Sequence, residues 1–316
     1  MQTVQRIDPA ETERQTGHRG SAPVPAQPSI WKMRAAGDPD LRYHLYVPSS
    51  PQAALPLFVA VHGISRDVTS QARLFAPFME EIGGVVVAPL FQKRRFSDYQ
   101  RLGRMGRSDR ADMALDRIVA DVSQRVGRQF PRIVMFGYSG GGQFVHRYAM
   151  AHPRRIDRIA VAAPGWYTFP DMGEPFPRGI GRSASLPDII FDPARFLEIP
   201  TWIAVGEEDM WRDANLNKNP KIDRRQGANR MERAKRWRAE MAAAAARYTL
   251  DTAFHLETLP DCGHSFVDCM KIGGMGRQVV DFLFQHHSNR RRPSERSADA
   301  SARIPSRGIS TIGRWK

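Results

Sequence analysis

Two kinds of apolar pattern alternate along this chain. Short continuous apolar runs recur, separated by longer stretches in which apolar residues return every three or four positions. A continuous run suits a strand buried on both faces, and the 3.6-residue period suits a helix with one buried side. LFVAV (57–61) and VVVAP (85–89) are predicted strands, as are 133–136, 159–163, 201–205 and 254–259. Residues 30–35 and 41–47 flank the turn segment Gly37-Asp38-Pro39-Asp40 and are predicted to pair as a hairpin. Helices are predicted over 68–82, 109–126, 140–152, 229–247 and 278–286. The clearest is 109–126, where Ala111, Leu115, Ile118, Val119, Val122 and Val126 form one stripe and Gly127 supplies the stop. Strands alternating with helices predict an α/β fold, a mostly parallel sheet covered by helices on both faces. In such sheets the site lies beyond the carboxyl ends of the strands.

Composition divides the chain. Residues 1–29 are polar and Pro-rich and read as a flexible arm, and 288–316 are rich in Arg and Ser and read as a disordered tail. Between them, 30–287 form the predicted domain, with 166–199 as a candidate cap loop and 211–247 as a basic insertion. Nothing in the 316 residues approaches the roughly 18 apolar residues that span a bilayer, and the first residues lack an apolar signal core. A cytoplasmic protein is expected. Two cysteines exclude a disulfide-rich scaffold, and free thiols are expected at Cys262 and Cys269, with a bond between them as the alternative. The formal net charge of +14 is mostly arginine. Such a surface attracts nucleic acid or anionic lipid, but no stacking-aromatic pattern accompanies it, so a solvated surface is the favoured reading and tail contacts the alternative.

The chemistry lies in the loops after the strands. Gly137-Tyr138-Ser139-Gly140-Gly141 is a G-x-S-x-G match between a predicted strand and a predicted helix, the context of a nucleophile elbow. There the serine sits on a sharp turn that exposes its hydroxyl, and the flanking glycines relieve crowding. A serine nucleophile needs a base and an orienting acid. Gly206-Glu207-Glu208-Asp209 follows the 201–205 strand, and Asp261-Cys262-Gly263-His264 follows the 254–259 strand. Ser139, Asp209 and His264 therefore come in the order Ser…Asp…His, with Glu207 and Glu208 as neighbouring acids. His62-Gly63-Ile64-Ser65 follows the 57–61 strand, so the backbone N–H groups of Ile64 and Gly140 are the candidate oxyanion donors and His62 a structural clasp. Trp166, Tyr167 and Phe169 are candidate substrate contacts, and Arg66 a candidate partner for a substrate carboxylate. Seven basic and two acidic residues in 93–110 either attract an acidic ester or form a solvated face, the latter favoured. His146 and His152 are expected on exposed parts of the helix after the elbow. Cys262, His264 and Cys269 do not have a common zinc spacing, and no metal is expected.

VAVHGI, FGYSGGG, VGEED and CGHSF together resemble the α/β-hydrolase-fold serine hydrolases. Among them the chain is most similar to the bacterial esterases grouped with polyhydroxybutyrate depolymerases and feruloyl esterases. The resemblance implies hydrolysis of a small-molecule carboxylic ester through an acyl-enzyme, without metal or organic cofactor. An acyltransferase or peptidase using the same three residues, or a non-catalytic binding protein of that fold, are the alternatives. The chain departs from many secreted members in lacking an evident signal peptide and disulfides.

Overall fold

The computed structural model describes residues 5–6 and 29–288. The arm and tail expected from composition otherwise lie outside the described residues. One pairing falls inside the expected arm: β1 (Gln5–Arg6) lies antiparallel to β2 (Trp31–Ala35).

The strands form one sheet. After β1 and β2 come β3 (Asp38–Tyr46), β4 (Leu57–Val61), β5 (Val86–Leu90), β6 (Ile133–Tyr138), β7 (Ile156–Ala162), β8 (Thr201–Gly206) and β9 (Phe254–Leu259). Their order across the sheet is β1-β2-β3-β5-β4-β6-β7-β8-β9. The predicted hairpin is β2–β3, and β3 runs antiparallel to β5. From β5 through β4 to β9 every neighbouring pair is parallel. Parallel neighbours need crossovers, and helices run in them: α1 (Val68–Ile82), α2 (Ala111–Arg125), α3 (Gly140–Ala151) and α6 (Arg230–Arg247), while α8 (Met275–Ser288) follows the last strand. The short helices α4 (Pro193–Phe196), α5 (Pro220–Gln226) and α7 (Phe266–Lys271) lie in the connections.

Side chains alternate across each strand, so one continuous apolar run feeds two cores. Leu57, Val59 and Val61 of β4 pack with Ile118, Phe144 and Trp237 from α2, α3 and α6. Phe58 and Ala60 face the other way and pack with Phe75, Met79 and Leu283 from α1 and α8. Asp67 caps α1 by accepting the Ser70 N–H at 3.0 Å, and Gly83, at φ 77°, closes it. The helix continues through Pro77.

The central helix α3 corrects an expectation. His146 is buried, not exposed, because α3 is enclosed on all sides. The Thr168 N–H donates to its Nε2 at 3.0 Å, so Nδ1 carries the proton and donates to Gly142 O at 2.8 Å. His152 is half-buried and bonds Asp112 at 2.8 Å.

Buried neutral histidines make stability depend on pH. Burial holds His62 at about 4, and burial with the charge of Lys32 holds His44 at about 4. Burial holds His146 well below the ordinary value. The unfolded chain takes up these protons below about pH 6.5 and the folded chain does not, so stability falls as pH drops from about 6.5 towards 4. At pH 5, His62 alone should remove about 2 kcal/mol. Urea unfolding should therefore show a lower midpoint at pH 5 than at pH 7.5, and equal midpoints would contradict the burial.

Candidate functional site

The loops after β4, β6, β8 and β9 meet at the carboxyl edge of the sheet. Ser139 occupies the turn between β6 and α3 with φ 53° and ψ −113°, a conformation that residues with a side chain rarely adopt. It is held there by its own N–H, which donates to Ala162 O of β7 at 2.7 Å. The elbow glycines are required by contact. A Cβ on Gly141 would lie 2.1 Å from Val61 O, and one on Gly137 would lie 2.3 Å from the carbonyl carbon of Gly141. Helix α3 can rise so close to β4 and β6 only because both positions lack side chains.

Ser139, His264 and Asp209 form one hydrogen-bonded chain. His264 Nε2 is 3.0 Å from Ser139 Oγ, and His264 Nδ1 is 2.7 Å from Asp209 Oδ2. Of the three consecutive acids, only Asp209 turns inward. It is buried, while Glu207 and Glu208 are exposed. The turn that selects it is fixed by backbone bonds from Glu207 N to Leu259 O and from Glu208 N to Cys262 O. The Tyr138 ring lies against the imidazole, 5.3 Å between centroids. In this geometry the Ser139 hydroxyl can pass its proton to His264, whose other nitrogen faces a carboxylate.

One functional neighbour was not identified from sequence. Arg230, the first residue of α6, is 1% exposed and donates through one nitrogen to Asp209 Oδ1 at 2.9 Å and Asp213 Oδ2 at 2.6 Å. Burial opposes charge on Asp213, but the bond and charge of Arg230 prevail and hold its carboxyl below the usual range. In sequence, Arg230 is one of eleven cations of the basic insertion, with nothing to set it apart.

Ile64 and Gly140 are brought together. A Cβ at Gly140 would lie 2.9 Å from Ile64 Cγ2, and one at Gly63 would lie 3.6 Å from Ser139 Cβ. Among the described residues no acceptor takes either N–H. His62 faces the other way. The Phe91 N–H donates to its Nε2 at 3.1 Å, so Nδ1 bears the proton and donates to Gly63 O at 2.8 Å. The histidine thereby fastens this loop to the end of β5.

Ser139 and His264 line a cavity of about 290 Å³ whose walls include Ile64, Gln71, Tyr138, Asn215 and Phe266. The expected substrate contacts do not line this cavity. Tyr167 and Phe169 belong to the core, Tyr167 stacked on Trp237 at 4.7 Å and Phe169 beneath the Arg225 guanidinium. Trp166 is buried under Arg147, 4.2 Å from its ring centre. Arg66 donates to Phe91 O (2.7 Å) and Ile64 O (3.1 Å), bracing the loop, and does not line the cavity. The aromatic residues of 166–199 are thus buried, while much of the chain between them is exposed. Part of the charge of the basic loops is paired: Arg95 pairs with Asp38 and Asp109, Arg104 with Asp98, Arg110 with Asp112 and Asp188, and Arg233 with Asp223.

Cys262 and Cys269 are buried free thiols, and among the described residues no group of His, Cys, Asp and Glu is placed to hold a metal. Among the same residues no helix is long and apolar enough to cross a membrane.

No protein-family model and no curated protein matches this chain. Solved structures do. Poly(aspartic acid) hydrolase-1 from Sphingomonas sp. KT-1 superposes with a TM-score of 0.65 at 24% identity, over 77% of this chain and 93% of that one. The poly(3-hydroxybutyrate) depolymerase LpqC from Bordetella parapertussis gives 0.65 at 23% identity, over 86% and 87%. The chain has the α/β-hydrolase fold. A putative dienelactone hydrolase from Klebsiella pneumoniae gives 0.51 at 15% identity, over 81% and 98%.

Proposed function

We propose that this chain is a serine hydrolase that cleaves a carboxylic ester through an acyl-enzyme. The observation that carries the reading is the continuous chain from Asp209 through His264 to Ser139, at 2.7 and 3.0 Å, opening on a cavity. That solved proteins of the same fold are named a hydrolase and a depolymerase agrees with hydrolysis.

Ser139 Oγ attacks the ester carbonyl carbon as His264 Nε2 takes its proton. Asp209 fixes the tautomer that leaves Nε2 free to accept, and stabilises the imidazolium. The carbonyl oxygen becomes an oxyanion and receives the N–H groups of Ile64 and Gly140, donors of a kind worth about 10²–10³ in rate each. The tetrahedral intermediate collapses, His264 returns the proton to the leaving alcohol, and the acyl group stays on Ser139. Water then attacks with His264 again as base and releases the acid. Every step uses groups of this chain and water.

The cavity of about 290 Å³ suits a small acyl group. The test is release of free acid from p-nitrophenyl esters, acetate through decanoate. Hydrolysis that favours the short acyl chains is expected, and inertness towards the whole series would contradict the reading.

A further inference from the structure

The reaction above leaves Arg230 unused, yet it is among the most enclosed charges in the protein. Its side chain is 1% exposed, and its Nε is buried without a hydrogen-bond partner among the described residues. Burying a guanidinium is expensive, and for stability alone an apolar side chain of similar volume often serves as well. The position is fixed from its own helix: Asn229 caps α6 by accepting the Glu232 N–H at 2.9 Å, which places Arg230 on the first turn.

What the guanidinium holds is specific. One nitrogen bridges Asp209 Oδ1 and Asp213 Oδ2. The other oxygen of Asp209 faces His264. The other oxygen of Asp213 accepts the N–H groups of Asn215 at 2.6 Å and Leu216 at 3.0 Å, a tight turn that sets Asn215 on the cavity wall. A single buried group thus ties the back of the acid to the loop that borders the substrate space.

We propose that Arg230 is a positioning residue for the reaction, clamping Asp209 so that Oδ2 faces His264 and anchoring the turn that presents Asn215 to the substrate. The inference rests on the serine-hydrolase reading and goes beyond it by giving both the acid and the cavity wall one shared support.

The charges around His264 give the test its sign. Asp209 and Asp213 come from the turn after β8, Arg230 from α6, Tyr138 from β6, Cys269 from α7 and Cys262 from the loop after β9. Tyr167 faces Asp209 from the segment after β7, and Glu207 and Glu208 point to solvent. Burial keeps the Tyr138 and Tyr167 phenols neutral and pushes the Cys269 thiol up to about 12. The buried acid therefore works within a cluster of two carboxylates and one guanidinium. Removing the cation leaves the imidazolium of His264 more stabilised, so a step that needs neutral His264 loses rate at higher pH than before.

The experiment measures the rate of fluorophosphonate labelling of Ser139 against pH, which needs no knowledge of the substrate, with kcat and KM on whichever p-nitrophenyl ester is cleaved. Arg230→Met is expected to slow labelling about ten- to hundredfold and to move the acid limb up by about one pH unit. Asp213→Asn leaves one oxygen where two faced donors, so it loses either the Arg230 bond or the turn's acceptor, and it removes a negative charge, so its acid limb moves down. Arg230→Met with Asp213→Asn restores the net charge, and its limb returns towards the wild type while the rate stays low. Arg230→Lys keeps the charge, but its nitrogen lies one bond nearer the backbone and does not reach the bridging position, so it slows labelling with the limb in place. Asn215→Ala raises KM more than it lowers kcat.

Folded Arg230→Met with wild-type rate and limb would overturn the proposal. Where that variant does not fold, as read by circular dichroism, Arg230→Lys and Asp213→Asn decide, and wild-type behaviour of both overturns it. A wild-type protein that is neither labelled nor active on any ester removes the serine-hydrolase reading itself, and this inference with it.

Discussion

Replacing Ser139 by alanine is expected to lower ester turnover by about 10⁴–10⁶ while leaving the fold in place. The loss follows from removing the one oxygen that His264 Nε2 bonds at 3.0 Å. What remains is uncatalysed attack by water, helped by the Ile64 and Gly140 amides and by binding alone. The fold should tolerate the change because the unusual backbone of Ser139 does not depend on its hydroxyl. The N–H to Ala162 O bond and the Gly137 and Gly141 contacts that set the turn are all retained. The measurement is kcat/KM beside a thermal melt. Near-equal melting with lost turnover is expected, and retained turnover would place the nucleophile elsewhere.

Asp209→Asn should reduce kcat by about 10⁴ with KM changed only a few-fold, and the buried arginine is the reason the loss should be so large. Arg230 can only donate, so the asparagine carbonyl oxygen must turn to it, at the position Oδ1 now holds. The amide NH₂ then faces His264 Nδ1 across the present 2.7 Å contact and makes that nitrogen an acceptor. The imidazole proton is driven to Nε2, opposite Ser139, where it can no longer take the hydroxyl proton. Glu207→Gln and Glu208→Gln should each stay within about twofold of wild type, since exposed surface charges contribute little. A large loss in either glutamate variant, with Asp209→Asn unaffected, would reassign the acid.

The regular parts of the molecule were legible from the pattern of apolar residues. LFVAV gives β4 as Leu57–Val61, and the 3.6-residue stripe gives α1 as Val68–Ile82, because both signals are local. The elbow was legible because its glycines answer a local crowding, and His264 and Asp209 because each stands just past a strand. Irregular backbone carried no comparable signal. In 166–199, Tyr167 and Phe169 pack into the core without any periodic spacing, and their aromatic character read equally well as a pocket wall. His146 was misread because α3 is enclosed by the sheet and its coverings, where the usual outward polar face does not exist. The charges were the least legible. Arg95 finds Asp38 and Arg230 finds Asp209 only through the fold, so part of the charge that looked free in sequence is paired in space.

The most direct test is to treat the native protein with a fluorophosphonate and locate the adduct by peptide mass spectrometry, beside His264→Ala and the unfolded chain. A serine activated by His264 predicts one adduct, on Ser139, formed in the native protein and largely absent from both controls. No adduct, an adduct on another serine, or labelling of Ser139 at the same rate in His264→Ala would contradict it.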